Sequence, residues 1–173
     1  PELPIADELR IATLRERVIS SKSDAHLNQL RQTLLVDARS LRASEREPSW
    51  TIRRGLLTRD RLAAMCFEID DLELLVGRLS QADEPIGDIE AAHAYLAGYE
   101  LDFPGQTGHC ELDLDPLMRE GLDGLAQQIR ERRNACLGDA SDADPAVYES
   151  FMAAVEGLSL MIERAAAMVA SAV

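Results

Sequence analysis

The chain has 173 residues, 46% of them hydrophobic, and a formal net charge of -13 at pH 7. A domain of this length buries roughly 70% of its unfolded surface, so a sizeable core is expected. With aromatics at only 4%, that core falls to Leu, Ile, Val, Met and Ala, which favours helices. The acidity argues against non-specific phosphate-backbone binding, which needs clustered cations.

Residues 5 to 20 place Ile5, Leu9, Leu14 and Val18 among charges, and residues 24 to 42 repeat Leu27, Leu30, Leu34, Ala38 and Leu41 at three- and four-residue steps. Both stretches predict amphipathic helices. The intervening SSKSD supplies Ser23 or Asp24 as an N-cap, so the two are expected to form an α-hairpin. A third helix is predicted from Pro48, tolerated in a first turn, to about Met65, with Gly55 weakening it by about 1 kcal/mol relative to Ala.

In CFEIDDLELLVGRLS, Phe67 and Ile69 alternate with polar neighbours, Asp70-Asp71 offers a turn, and Leu72, Leu74 and Val76 alternate again. This predicts a short β hairpin. Ile89 to Leu96 predicts a short helix ending at Gly98. Phe103-Pro104-Gly105 reads as a turn, and Asp115-Pro116 starts a helix whose Met118, Leu122, Leu125, Ile129 and Cys136 share one stripe. A last helix is predicted from Asp144-Pro145, with a broad apolar face from Tyr148 and Phe151 through Leu158 and Ile162 to Val169.

No apolar run reaches the roughly 18 residues of a membrane span, and PELPIADELR lacks the features of a secretory leader, so a cytoplasmic location without membrane partners is expected. Cys66, Cys110 and Cys136 are odd in number and widely spaced, which fits reduced thiols, with Cys66 and Cys136 buried and inert. The basic groups Arg53-Arg54 and Arg130, Arg132 and Arg133 read as solvated helix faces.

Chemistry-bearing residues are sparse. His26 and His93 lack partners at metal-ligand spacing. The acidic pairs Asp70-Asp71 and Asp113 with Asp115 sit where turns and caps use Asp, without a complete calcium loop. Adjacent His109 and Cys110 lack the orientation a thiol and its base require. The turn TGHCELD is the best candidate for small-molecule contact, since Gly105 and Gly108 permit close backbone approach and His109 can donate or accept a hydrogen bond.

Three blocks resemble, in order, the N-terminal helical region of glycyl radical enzymes of the pyruvate formate-lyase type. The first is EPSWTIRRGLLTRDRLAAMCFEIDDLELLVGRLS, with Ile52-Arg53-Arg54 and then Glu73-Leu74-Leu75-Val76-Gly77. The second is PGQTGHCELDLDPLMREGLDGLAQQI, with the Gly-His turn and Gly121-Leu122-Asp123-Gly124-Leu125. The third is VYESFMAAVEGLSLMIERAAAMVASAV, with Glu156 and Glu163-Arg164-Ala165-Ala166, and the opening IATLRERVISSKSD fits the family's Leu-Arg-Glu-Arg start. Gly55 and Arg78 depart from the Ala and Asn common there.

The resemblance implies a mainly α, bundle-like single domain over residues 1 to 173 with one short β hairpin, corresponding to the N-terminal part of a β/α barrel fold. It implies a lyase or dehydratase portion that packs against the barrel and helps form the substrate cavity, with His109 and Gln106 contacting substrate. The family's cofactor is a protein glycyl radical, installed by an S-adenosylmethionine-dependent iron-sulfur activating enzyme. None is expected in this chain, because the Cys-x-Glu and Arg-Val-x-Gly-Tyr motifs are missing. Tyr95-Leu96-Ala97-Gly98-Tyr99 lacks the Arg and Cys110-Glu111 is one residue short, so neither Gly98 nor Cys110 receives a radical role. The implied partners are a small-molecule substrate held through the remainder of the enzyme, the activating enzyme, and further copies in a homo-oligomer. The alternative is a free-standing, non-catalytic helical binding protein derived from that module.

Overall fold

Six helices carry the described part of the chain, which in this computed structural model comprises residues 5–21, 24–67, 79–80, 87–99, 101, 115–138 and 144–172. They are α1 (Ile5–Ser21), α2 (Asp24–Ala43), α3 (Trp50–Ala63), α4 (Ile89–Leu96), α5 (Asp115–Gly138) and α6 (Pro145–Ala172). The mainly helical expectation holds. The helix starts follow capping chemistry, a side-chain oxygen taking up an otherwise orphan backbone N–H. Asp88 accepts from the Ala91 N–H at 2.9 Å, Asp144 from the Ala146 N–H at 2.9 Å, and Ser49 from the Ile52 N–H at 3.4 Å. Ser49, rather than Pro48, therefore starts α3, and Pro145 occupies the first position of α6, where its missing N–H costs nothing.

Two packing units share α3. In the first, α2 and α4 bury Leu35, Ala38, Leu41, Ala92 and Leu96 together, with Leu41 at 0% exposure. The second is the seam between α3 and α6, built on small residues. A Cβ at Gly55 would lie 2.5 Å from Ser150 Cα, and one at Gly157 would lie 2.7 Å from Arg59 Cα. Each helix thus offers a glycine where the other's backbone comes closest, and only glycine admits that approach. α5 packs on another side of α6, where Ala126 and Ala153 are buried.

The α2–α3 interface is partly ionic. Asp37, 1% exposed, accepts two hydrogen bonds from Arg61, Nε to Oδ1 at 2.7 Å and a terminal nitrogen to Oδ2 at 2.6 Å. Such a two-pronged pair satisfies both carboxylate oxygens and compensates their removal from water.

Several expectations need correction. The β hairpin is not supported: the described pairing is a two-residue antiparallel match, β1 (Cys66–Phe67) against β2 (Leu79–Ser80), in register Cys66 to Ser80 and Phe67 to Leu79. The proposed turn and second strand, Asp70-Asp71 with Leu72, Leu74 and Val76, lie outside the described residues, and no barrel strand is among those described. The α5 stripe is broken at Gly121, whose φ of 67° and ψ of -173° suit glycine alone. Before that kink, Met118 is 80% exposed instead of joining the stripe. Residues 22–23, on which the expected α1–α2 hairpin turns, lie outside the described residues, and Leu9 and Ile19 of α1 are exposed.

Candidate functional site

Two arrangements of described residues have enough chemistry to be considered. The first grows from helical spacing. Trp50 and Arg53, three residues apart, share a face of α3, while Tyr95 in α4 and Tyr99 in the turn after it are four apart and project together. The turn is held by the Tyr99 N–H donating to the Leu96 carbonyl at 2.9 Å. Where the faces meet, the Trp50 and Tyr99 rings stack at 5.9 Å between centroids, and the Arg53 guanidinium lies 5.4 Å from each ring centre.

The same guanidinium donates to the Leu41 carbonyl at 3.1 Å and to the Tyr99 hydroxyl at 3.1 Å, joining α2, α3 and the turn after α4. Arg42 from α2 covers the Tyr95 ring at 4.5 Å. Arginine suits this position because it can stack on rings and donate in several directions at once. The Tyr95 and Tyr99 hydroxyls are 3.0 Å apart. Burial, then the contact with Tyr99, pushes Tyr95 up to about 12, whereas the hydrogen bond with Tyr95 and then that from Arg53 hold Tyr99 below the usual phenol value. The cluster acts as a polar clasp among three helices.

The second arrangement is a trough above α6, between α3 and α5. It has a volume of about 440 Å³ and is open to solvent. Leu56, Leu122, Ala126 and Met152 give it an apolar surface, and Asp123, Arg130, Glu149 and Glu156 charge it. Beside it, a stripe of α6 stays uncovered: Phe151, Ile162 and Val169 are 52%, 51% and 52% exposed, with Val147 also exposed.

His109 and Gln106, the expected substrate contacts, lie outside the described residues, as do Cys110 and Asp113. His93 is exposed in the last turn of α4. Cys136 is half-buried instead of buried, with its sulfur 3.4 Å from the Tyr148 hydroxyl, a contact that raises the Tyr148 phenol. Arg53 is not on a solvated face as expected, and Arg133 pairs with Glu149 at 2.5 Å. Asp37 was missed, although its position between Leu34 and Leu41 on the apolar face of α2 marks an acid that needs a partner. For Arg53, its three-residue spacing from the one Trp was the available signal of a buried role.

Among the described residues there is no group of three or more His, Cys, Asp or Glu placed to hold a metal ion, and no helix long and apolar enough to cross a membrane. Comparison of the chain with protein-family models, with curated proteins and with solved structures returned no match.

Proposed function

We propose that this chain is the N-terminal helical portion of a glycyl radical lyase or dehydratase, packing against the barrel and helping to form the substrate cavity, without radical chemistry of its own. The reading rests on the three resembling blocks, and the way their helices associate supports it. α3 from the first block meets α6 from the third through Gly55 and Gly157, and α5 from the second packs on the same α6. His109 and Gln106 are the proposed substrate contacts, and the partners are the substrate and the activating enzyme acting on the whole enzyme.

The observation that carries the proposal is the uncovered stripe of α6. Val147, Phe151, Leu158, Ile162, Ala165 and Val169 recur at three-, four- and seven-residue steps, so they share one face. At the helical rise this face runs about 33 Å. An apolar face of that length, with Val147, Phe151, Ile162 and Val169 exposed and Leu158 and Ala165 half-buried, marks a surface made to be covered by more protein. Further domains of the same polypeptide would cover it.

Reading the transcript through the Val173 codon tests this. Continuation into a chain bearing Cys-x-Glu and a terminal Arg-Val-x-Gly-Tyr is expected, and a stop codon directly after Val173 would refute it. That second outcome would leave the free-standing binding protein, a reading favoured by interior features already complete here: the closed α2–α4 core and the satisfied Asp37–Arg61 pair.

A further inference from the structure

The sequence of α5 carries signals for two geometries. Asp115-Pro116 starts it as a helix, and Met118, Leu122, Leu125 and Ile129 follow at four-, three- and four-residue steps, the spacing of one face of an unbroken helix. The backbone nevertheless breaks at Gly121, where φ of 67° and ψ of -173° fall in a region open to glycine alone. No packed neighbour at that point holds the break, because a Cβ on Gly121 would meet nothing within 4 Å.

The bent form uses both glycines of Gly121-Leu122-Asp123-Gly124. Gly121 supplies the backbone angles, and Gly124 supplies space: a Cβ there would lie 2.4 Å from Glu120 Cβ. On a continuous helix, Cβ atoms four residues apart stay about 5 to 6 Å from each other. The bend also lets the Glu120 carboxylate accept from the Gln128 side-chain amide at 2.5 Å. Eight residues of straight helix rise about 12 Å, so that hydrogen bond belongs to the bent form. In a straight α5 the two glycines would only weaken the helix relative to alanine, whereas the stripe begun by Met118 has a use only there, since Met118 is 80% exposed in the bent form. Local signals divided between two geometries mark a two-state element.

We infer that α5 is a conformational switch hinged at Gly121, with a bent form latched by Glu120 and Gln128 and a straight form in which residues 115–138 make one continuous helix. Straightening has a defined consequence for the trough. Leu122, Ala126 and Arg130 line it at four-residue steps. Met118 is the preceding position of that series, about 6 Å before Leu122 along a straight axis. In the bent form Met118 does not line the trough; in the straight form it lengthens the α5 wall by one turn and adds an adaptable thioether side chain to its apolar part. α5 and α6 run antiparallel, with Arg133 on Glu149 and Cys136 on Tyr148, so the added turn advances towards Ser159. The hinge thus sets the extent of the trough at that end, whether or not the polypeptide continues into a barrel.

Backbone NMR of the 173-residue chain tests this, since the Cα and carbonyl shifts of residues 118–124 separate a helical from a non-helical Gly121 and relaxation dispersion detects exchange between the forms on the μs–ms timescale. The parent should show such exchange across these residues. Gly121→Ala fits the open space but not the positive φ, so it should raise the ratio of straight to bent form at least about tenfold and give helical shifts. Gly124→Ala should act in the same direction by displacing Glu120. Gln128→Ala, which removes the latch, should raise the ratio about fivefold, whereas Gln127→Ala, which removes an ordinary four-residue hydrogen bond to Glu131, should leave it unchanged. In Gly121→Ala the Met118 methyl should gain nuclear Overhauser contacts with α6 near Ser159. A parent chain without exchange at residues 118–124, bent shifts retained in Gly121→Ala, or a straightened α5 whose Met118 makes no contact with α6 would overturn the inference.

Discussion

Gly55→Ala distinguishes two views of α3. If the glycine were only a weak helix former, alanine would stabilise the protein by about 1 kcal/mol. The structure gives the opposite sign. The added Cβ would lie 2.5 Å from Ser150 Cα, 2.7 Å from Ser150 Oγ and 2.8 Å from the Ser150 carbonyl oxygen, so mostly backbone opposes it. Ordinary contact needs roughly 3.5 to 4.0 Å, so α3 and α6 would have to separate by about 1 Å. Overpacking of this kind costs about 1 to 3 kcal/mol, and subtracting the propensity gain leaves a net loss of about 1 kcal/mol. For a chain of this length that lowers the melting temperature by about 2 to 4 °C. Urea unfolding followed by circular dichroism measures it. Gly98→Ala is the control, since its Cβ would meet nothing nearer than the Tyr95 carbonyl oxygen at 3.9 Å, and it should be neutral or slightly stabilising. A Gly55→Ala protein more stable than the parent would refute the tight seam.

Asp37→Ala leaves Arg61 without its buried partner and should cost about 3 kcal/mol in urea unfolding. Leu41→Ala, at a fully buried site, should cost about 2 to 5 kcal/mol by the same measurement. Tyr95 keeps its proton to about 12 in the fold, whereas the unfolded phenol gives it up near 10. The unfolded state therefore binds fewer protons in that window, and this group's contribution to stability falls as pH rises through it. Tyr95→Phe should flatten that fall and, by removing the largest cause of the lowered Tyr99 value, move Tyr99 ionisation to higher pH in an ultraviolet titration. An unmoved Tyr99 would count against the hydrogen bond. Arg53→Lys should lower stability and alter Trp50 fluorescence, because an ammonium cannot stack on Trp50 and Tyr99 while reaching the Leu41 carbonyl.

Helices with strong local signals were legible from the sequence. The start at Asp144-Pro145 depends on two adjacent residues, and they sit as their capping chemistry requires. What periodicity could not reveal was context. Gly55 reads as a flaw in a helix until α6 is known to lie against it, and Gly121 reads as one more helical position until its backbone angles are seen. Both outcomes depend on neighbours distant in sequence or on a local choice between two allowed geometries. The candidate site was less legible still: His109 and Gln106 fall outside the described residues, while the trough and the aromatic clasp draw on helices that no local pattern brings together.

The two packing units also differ in what joins them. Between α2 and α4 the buried contacts are apolar, with Arg42 of α2 over the Tyr95 ring at their edge. Between α2 and α3 the fixed points are polar: two hydrogen bonds from Arg61 to Asp37, and one from Arg53 to the Leu41 carbonyl. A polar contact fails if its partner shifts by a single residue, because the buried group is then unpaired. Arg53 and Arg61 are eight residues apart on α3, a little over two turns, so they fix α3 against α2 at two points on roughly one face. With that register set, α3 presents Gly55 to Ser150 and Arg59 to Gly157, and α6 follows. The trough and the uncovered stripe both include α6, so their geometry depends on two arginines that the sequence alone assigned to solvent or left unremarked.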